Sequence, residues 1–168
     1  ILILNLIIQI IQLLMKISFK NFKTEYSSKF YDLNIEWLEK YFCVEDYDKE
    51  VLSKPEKYII KKGGIILFAE FNNDIVGTVA LMPTNNKYTF ELTKMAVNPN
   101  YRNNKIGQKL LLKIILIAKK MSLKKIILYS NKKLKNAIHL YLKYNFIEIA
   151  LEDNCPYVRA NIKMELSI

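Results

Sequence analysis

The chain has 168 residues, 51% of them apolar, with 26 Lys and Arg against 16 Asp and Glu. This length suits one domain with a proper core, and the apolar content excludes a disordered or low-complexity chain. The two cysteines, Cys43 and Cys155, lie far apart and form no CxxC pair. This spacing excludes a disulfide scaffold and a zinc site, so we expect no metal and a reducing, cytoplasmic location.

The formal net charge of +10 points at first to a polyanionic partner. However, only Arg102 and Arg159 among the 26 basic residues are Arg, and the others are Lys. Sites that bind phosphates or the edges of nucleic-acid bases favour the planar, bidentate guanidinium of Arg. We therefore expect no dedicated nucleic-acid surface.

Residues 1–15 are apolar and carry no charged side chain. A membrane span needs about 20 such residues, and a secretory signal needs a basic start and a small-residue cleavage site. We interpret residues 1–15 as a leader ahead of a single domain over residues 16–168. The alternative is an interfacial or oligomerising helix, the only case in which we expect a membrane partner.

Hydrophobic periodicity predicts the secondary structure from residue 17 onward. The first half is predicted to contain a strand at 17–19, a helix at 27–42, a helical turn at 48–52, a helical piece from 55, and strands at 65–71, 75–82 and 88–97. The second half is predicted to contain a helix at 106–121, a strand at 126–129, a helix at 134–142, and strands at 146–151 and 157–166. Asn145 follows the last helix, where a left-handed cap favours Gly or Asn. These elements predict a mixed α/β domain with a twisted sheet of about seven strands, an antiparallel meander followed by a βαβ crossover, flanked by about four helices.

The turn before the helix at 106–121 is the most informative stretch. Backbone N–H groups at a helix N-terminus lack internal partners and lie at the positive end of the helix dipole, which makes them an anion cradle. Arg102 and Lys105 add positive charge, and Gly107 allows a close approach of the backbone. Taken alone, a basic turn before a helix is more often a solvated helix cap than a ligand site.

Two segments of the sequence resemble motifs of the GNAT N-acetyltransferases. VNPNYRNNKIG at 97–107 resembles the acetyl-CoA motif [QR]-x-x-G-x-[GA], with Arg102 and Gly107 at its first and last positions and Lys105 in place of the usual first Gly. AIHLYLKYNF at 137–146 resembles A-x-x-x-Y-x-x-x-G-F, with Asn145 in place of Gly. The resemblance extends over residues 17–166 in the order of elements.

The resemblance implies a three-layer GNAT-like fold, acetyl-CoA as co-substrate and direct transfer of the acetyl group to a primary amine in a ternary complex. Backbone groups of Met95–Val97 would pair with pantetheine and hold the thioester oxygen, where a bulged or splayed strand leaves donors free. Leu134 stands where many members carry an Asn, so nearby Asn side chains are the substitutes. The expected cofactor-binding residues are Met95, Ala96, Val97, Arg102, Asn103, Asn104, Lys105, Ile106, Gly107, Gln108, Asn131 and Asn136.

A transferase of this kind needs a base, because an amine with a pKa of about 10 is only about one part in a thousand neutral at pH 7. Glu91 begins the strand beside the expected thioester and is the first candidate; Glu70 is the second, and the alternative for either is a solvated face residue. The resemblance assigns protonation of the departing thiolate to Tyr141, which otherwise belongs to an apolar helical stripe.

Glu36, Trp37 and Tyr41 lie where the family builds its acceptor pocket. Carboxylates and ring faces suit a cationic amine, but the aromatic pair is also spaced to fill the core. Alternation over 157–162 places Tyr157, Arg159 and Asn161 on one strand face, as part of the acceptor site or of an edge salt bridge. His139 is expected at the surface, because two residues along a helix separate it from the Tyr141 face.

The sequence therefore predicts a cytoplasmic N-acetyltransferase whose acceptor is a small-molecule or peptide amine, and a homodimer is an open option. The first alternative is a non-catalytic acyl-CoA-binding module with a regulatory role. The second, and weakest, is a basic nucleic-acid-binding protein.

Overall fold

The computed structural model describes residues 17–168, so the proposed leader at 1–15 lies outside the described residues. Within this range one sheet of seven strands is flanked by five α-helices. The strands are β1 (Ser18–Asn21), β2 (Ile65–Phe71), β3 (Asp74–Pro83), β4 (Thr89–Val97), β5 (Lys125–Ser130), β6 (Ile147–Ile149) and β7 (Ile162–Ser167). The helices are α1 (Ser27–Tyr41), α2 (Asp46–Ser53), α3 (Pro55–Tyr58), α4 (Ile106–Lys120) and α5 (Lys135–Lys143).

The strands lie in the order β1-β2-β3-β4-β5-β7-β6. Neighbouring strands are antiparallel except β4 and β5, which are parallel and joined through α4. This parallel ladder is short, since only Thr89, Phe90 and Glu91 of β4 pair with β5. Beyond Glu91 the two strands share no ladder, and each keeps only its antiparallel partner on the other side.

Two apolar cores lie on opposite faces of the sheet. Helix α4 covers one face with a stripe at helical spacing, formed by Ile106, Leu110, Leu111, Ile114, Ile115 and Ala118. Tyr141 and Phe146 from the α5 region join the same core. Helices α1 and α2 cover the other face, with Phe30, Leu33, Leu38, Val51 and Leu52 buried there. The result is the three-layer α/β arrangement expected from the sequence. No helix within residues 17–168 is long and apolar enough to span a bilayer.

The prediction of a left-handed cap at Asn145 is confirmed by its φ of 66°. The prediction of a strand over 157–166 is wrong in its first half, because β7 begins only at Ile162. Residues 157–160 form a turn in which the N–H of Ala160 donates to the carbonyl of Tyr157 at 3.1 Å. The strand at 146–151 is likewise shorter, ending at Ile149. Side-chain alternation predicts a strand here because it does not specify the partners of the backbone hydrogen bonds, which distinguish a turn from a strand.

Candidate active site

A cleft of about 450 Å³ lies where β4 and β5 diverge. One wall is β4 from Leu92 to Val97, and the opposite wall is the end of β5 with the start of α5. Helix α1 and the 157–160 turn close the remaining side. A strand edge that lacks a neighbour presents unpaired backbone donors and acceptors. One wall of the cleft therefore presents backbone N–H and C=O groups of β4 that have no partner strand on that side.

Strand β4 bulges in this wall. The register between β3 and β4 shifts between Thr78 and Ala80, and Lys94 adopts a left-handed φ of 51°. A bulge leaves one residue out of the ladder and redirects its neighbours. Here the distorted residue immediately precedes Met95, Ala96 and Val97, all of which line the cleft.

The turn from Arg102 to Gln108, here called the 102–108 turn, leads from the end of β4 into α4. Asn103 and Lys105 have left-handed φ values of 66° and 57°, so Lys105 adopts the backbone conformation for which Gly is usually chosen. The first hydrogen bond of the helix runs from the N–H of Lys109 to the carbonyl of Lys105, at 2.9 Å, and no side chain caps the turn. The N–H groups of Ile106, Gly107 and Gln108 are thus the ones that a helix leaves without internal partners.

Gly107 packs against the end of β4. A Cβ atom built there would lie 3.4 Å from Met95 Cε and 3.8 Å from Val97 Cγ2, which is ordinary contact. Neither packing nor a positive φ therefore requires glycine at this position. The missing side chain leaves space between the turn and the strand edge.

Arg102 and Glu36, expected in two different sites, contact each other. The Arg102 guanidinium bonds Glu36 Oε2 at 2.8 Å, and its Nε donates to the carbonyl of Val97 at 3.2 Å. Each side chain is about one-third exposed, at 33% and 34%. Arg102 lines the cleft, whereas the Glu36 carboxylate is committed to Arg102 and lies outside the lining.

Tyr141 lines the cleft from α5, with its ring packed against Phe146 at 5.7 Å. Burial raises the pKa of its hydroxyl to about 12. Asn131 also lines the cleft, but its amide is used internally: Nδ2 donates to the carbonyl of Arg159 at 2.6 Å and Oδ1 accepts the N–H of Lys133 at 2.9 Å. Asn136 is exposed at the rim.

Four charged side chains, Glu45, Asp48, Lys94 and Arg159, form what we call the buried ion cluster. Lys94 Nζ bonds Asp48 Oδ1 at 2.7 Å, while Arg159 bonds both Asp48 oxygens, at 2.6 and 3.1 Å. Glu45 lies 3.0 Å from Arg159 and accepts the N–H groups of Val158 and Arg159. Two anions balance two cations, so the cluster ties β4, α2 and the 157–160 turn together without net charge.

Burial and pairing act in opposite directions on these groups. Burial would raise the pKa of Asp48, but the ion pairs and hydrogen bonds of Lys94 and Arg159 hold it below its ordinary value. Burial lowers the pKa of the Lys94 ammonium, although Asp48 and Glu91 oppose the shift.

Glu91 is buried beside the cluster and does not line the cleft. Its Oε1 accepts a hydrogen bond of 2.6 Å from the Tyr157 hydroxyl, and Tyr157 does line the cleft. Burial raises the pKa of Glu91 against the opposing effects of Tyr157 and Lys94. Glu70, the second candidate, lies far along the sheet on β2 and bonds Ser18 at 2.8 Å.

The cleft brings together many of the side chains expected from the sequence. Those that line it are Trp37, Tyr41, Met95, Ala96, Val97, Arg102, Asn131, Asn136, Tyr141 and Arg159. Outside its lining lie Glu36, Glu91, Asn103, Asn104, Lys105, Ile106, Gly107 and Gln108. The aromatic rings between α1 and the 157–160 turn already contact a cation of the protein itself, because Arg159 Cζ lies 5.0 Å from the Tyr157 ring centroid and 6.0 Å from that of Trp37. Within residues 17–168 no group of His, Cys, Asp and Glu side chains is arranged to hold a metal ion.

Sequence reasoning missed Asp48 and Lys94 and gave Tyr157 no chemical role. A signal for Asp48 exists, since it shares the apolar stripe of α2 with Val51 and Leu52. A carboxylate at that spacing is buried only if a cation meets it. The partner cations come from positions 46 and 111 residues further along the chain, which no local pattern identifies.

Comparisons with known proteins agree with this geometry. Residues 10–146 match the family model described as Acetyltransferase (GNAT) family. The chain therefore belongs to the GNAT acetyltransferase family, and the resemblance noted from its motifs is confirmed. Family membership supports acyl transfer from an acyl-CoA.

Solved structures of the same fold cover nearly the whole chain. A GNAT acetyltransferase from Staphylococcus aureus Mu50 is 26% identical with a TM-score of 0.81, covering 90% of this chain and 99% of its own. A GNAT acetyltransferase from Elizabethkingia anophelis with acetyl-CoA bound is 25% identical, with a TM-score of 0.69 and coverages of 90% and 98%. The PaiA N-acetyltransferase from Thermoplasma acidophilum, in complex with coenzyme A, shares the fold at 18% identity, with a TM-score of 0.71 and coverages of 92% and 100%. Curated proteins include no match to the chain.

Asp48→Asn tests the buried ion cluster. Removing this anion leaves the buried Lys94 ammonium without its carboxylate partner and removes one of the two carboxylates that pair with the partly buried Arg159, so we expect the free energy of unfolding at pH 7 to fall by about 3–5 kcal/mol. The pKa of Asp48 is lowered in the folded protein, so its contribution exists above the ordinary pKa of 3.8 and disappears as the pH falls further. Urea titrations should show the deficit shrinking below that pH.

Asp46→Asn is the matched control, because Asp46 lies on the same helix but is fully exposed at its side chain. We expect little change in its stability. Equal stability of Asp48→Asn and the unsubstituted protein at pH 7 would contradict the role given to the cluster.

Proposed function

We propose that this protein is an N-acetyltransferase that transfers an acetyl group from acetyl-CoA to a primary amine by direct attack in a ternary complex. The observation that carries the proposal is the position of the cleft. It opens along the unpaired, bulged edge of β4, and the 102–108 turn with its free N–H groups follows that strand after one short 3₁₀ helix at Pro99–Tyr101. Family membership supports acyl transfer, and the choice of acetyl donor and amine acceptor belongs to the proposal.

The residues present fit an acyl-CoA. Free N–H groups at the start of α4 suit its pyrophosphate, and Lys105 adds positive charge there, whereas the charge of Arg102 is paired with Glu36. Lys133 and Lys135 line the opposite wall of the cleft and add further positive charge. Met95–Val97 would pair with pantetheine as an added strand, and Asn131 and Asn136 lie across from them.

The bound acyl-CoA would supply an activated thioester carbonyl. Backbone N–H groups near the Lys94 bulge are the proposed donors to its oxygen, where negative charge develops during attack. Glu91 is the proposed final acceptor of the amine proton, with a pKa raised by burial. Tyr141 is the proposed proton donor to the leaving thiolate, since its pKa of about 12 keeps it protonated at neutral pH.

The acceptor amine is proposed to enter between α1 and the 157–160 turn. Trp37, Tyr41 and Arg159 line that end of the cleft and are the proposed substrate-binding residues. Glu36 has instead a positioning role, through its ion pair with Arg102.

Cys43 and Cys155 are both free, which suits the proposed location in a reducing cytoplasm.

A non-catalytic acyl-CoA-binding module is the second candidate. The observation that favours it is the burial of Glu91, which is 9% exposed and separated from the cleft by Tyr157.

A thiol-release assay with acetyl-CoA distinguishes the two functions. The amines to be tested are a polyamine, a free amino acid, an arylalkylamine, an aminoglycoside, a lysine peptide and a peptide with a free N-terminus. We expect amine-dependent release with at least one class. Calorimetric binding of acetyl-CoA without release by any amine would favour the module.

Gly107→Ala tests the 102–108 turn. Ala favours a helix over Gly by about 1 kcal/mol and meets only ordinary contacts here, so stability should hold or rise. The added methyl group reduces the space between the turn and β4, so the affinity for acetyl-CoA measured by calorimetry should fall about tenfold or more, a loss of at least about 1.4 kcal/mol.

Gly63→Ala is the control, because its expected effects on stability and on acetyl-CoA affinity are the reverse of those of Gly107→Ala. Gly63 has a φ of 87° away from the cleft, so the change should lower stability and leave acetyl-CoA binding intact. Unchanged acetyl-CoA affinity in Gly107→Ala would contradict the assignment of the turn.

Tyr141→Phe tests the proton donor. It removes the hydroxyl and keeps the ring packing, so we expect kcat to fall about 100-fold with acetyl-CoA affinity unchanged. Tyr144→Phe is the control, because Tyr144 lies three residues further along the chain and outside the cleft lining, and this variant should retain activity. Equal kcat values for the two variants would exclude Tyr141 as the donor.

A further inference from the structure

The proposed base has no direct path to the cleft. Glu91 is buried and outside the lining, whereas Tyr157 lines the cleft and donates its hydroxyl proton to Glu91 Oε1 at 2.6 Å. Thr93 Oγ1 lies 3.4 Å from the same hydroxyl and also lines the cleft. Tyr157 is therefore the group that connects the buried carboxylate with the space open to a substrate.

The Tyr157 ring is held on several sides, which fixes the position of its hydroxyl. The rings of Tyr47 and Tyr129 lie at centroid distances of 5.6 and 5.7 Å. Lys94 Nζ and Arg159 Cζ lie 5.1 and 5.0 Å from its centroid. Only 4% of the residue is exposed. A side chain packed in this way is preorganised for one hydrogen-bond geometry.

We propose that Tyr157 is a further catalytic residue, which relays the proton of the acceptor ammonium to Glu91. This inference rests on the proposed acetyltransferase function. The ammonium N–H bond breaks as the proton passes to the Tyr157 oxygen, while the Tyr157 O–H proton passes to Glu91 Oε1. The amine gains its free electron pair, Glu91 becomes a neutral carboxylic acid, and Tyr157 ends with one proton, as it began.

Electrostatics favour a relay over a free phenolate. Burial and the Glu91 charge raise the pKa of Tyr157 well above its ordinary value, so the hydroxyl remains protonated at neutral pH. Burial raises the pKa of Glu91, which makes it a stronger proton acceptor than a solvated carboxylate. The charged or titratable groups that face the pair are Lys94 on β4, Asp48 and Tyr47 on α2, Tyr129 on β5, and Arg159 in the turn.

The test uses Tyr157→Phe, Glu91→Gln and the double variant with the most active amine of the panel. The phenylalanine keeps the ring that its neighbours pack against, and thermal unfolding and acetyl-CoA calorimetry confirm that each variant folds and binds. We expect each single variant to lower kcat about 100-fold with little change in the acceptor KM, and the double variant to lose no more than the singles. Tyr58→Phe is the matched control, because Tyr58 donates to Glu50 at 2.7 Å in a surface pair outside the cleft.

An O-alkyl hydroxylamine analogue of the same acceptor separates proton relay from structural support. This analogue is neutral at pH 7 and needs no deprotonation before attack, so the variants should approach the unsubstituted rate with it. The acid limb of the kcat profile with the amine should also disappear in Glu91→Gln.

The relay alone is overturned by equal rate losses with the amine and its neutral analogue, or by losses that multiply in the double variant. Full activity of Tyr157→Phe does the same. If the unsubstituted protein turns over no amine, the proposed function fails and the relay fails with it.

Discussion

The structure depends on one constraint, which is that β4 and β5 pair over three residues and then separate. A parallel pair in the middle of a sheet is normally closed along its length, because unpaired strand edges leave backbone groups unsatisfied. Here the opening is maintained from both sides, since β4 stays paired to β3 and β5 to β7. The sheet therefore remains continuous at one end and presents a strand edge at the other. This edge, rather than any single side chain, makes the cleft.

The bulge in β4 is unfavourable in free energy, and the buried ion cluster offsets part of this. A left-handed non-glycine residue such as Lys94 costs about 1–2 kcal/mol, and a buried ammonium costs more unless it is paired. Asp48 provides the pairing from α2, and Arg159 joins it from the 157–160 turn. The same contacts therefore link the bulged residue of β4 to α2 and to the 157–160 turn, which lines the cleft.

Much of the fold could be predicted from the sequence, because each helix and central strand has its own periodicity. The stripe of α4 and the meander from β2 to β4 follow directly from it, and so does the 102–108 turn with Gly107. The buried cluster could not be predicted in the same way, since Asp48, Lys94 and Arg159 meet only through tertiary structure. Side chains at 157–160 alternate as they do in a strand, so the sequence predicts a strand there. The backbone forms a turn instead, because the N–H of Ala160 donates to the nearby carbonyl of Tyr157 and not to a neighbouring strand. The net charge of +10 does not by itself identify a partner, whereas Lys133 and Lys135 occupy defined positions in the lining of the cleft.

We propose that the open edge of β4 and the 102–108 turn together bind one acyl-CoA. Amide chemical shifts and hydrogen exchange of the ¹⁵N-labelled protein, recorded with and without acetyl-CoA, test it most directly. We expect the largest shifts and the strongest new protection from hydrogen exchange at Met95–Val97 and at Ile106–Gln108. Shifts that avoid both segments, or acetyl-CoA binding at a lysine-rich surface away from β4, would contradict it.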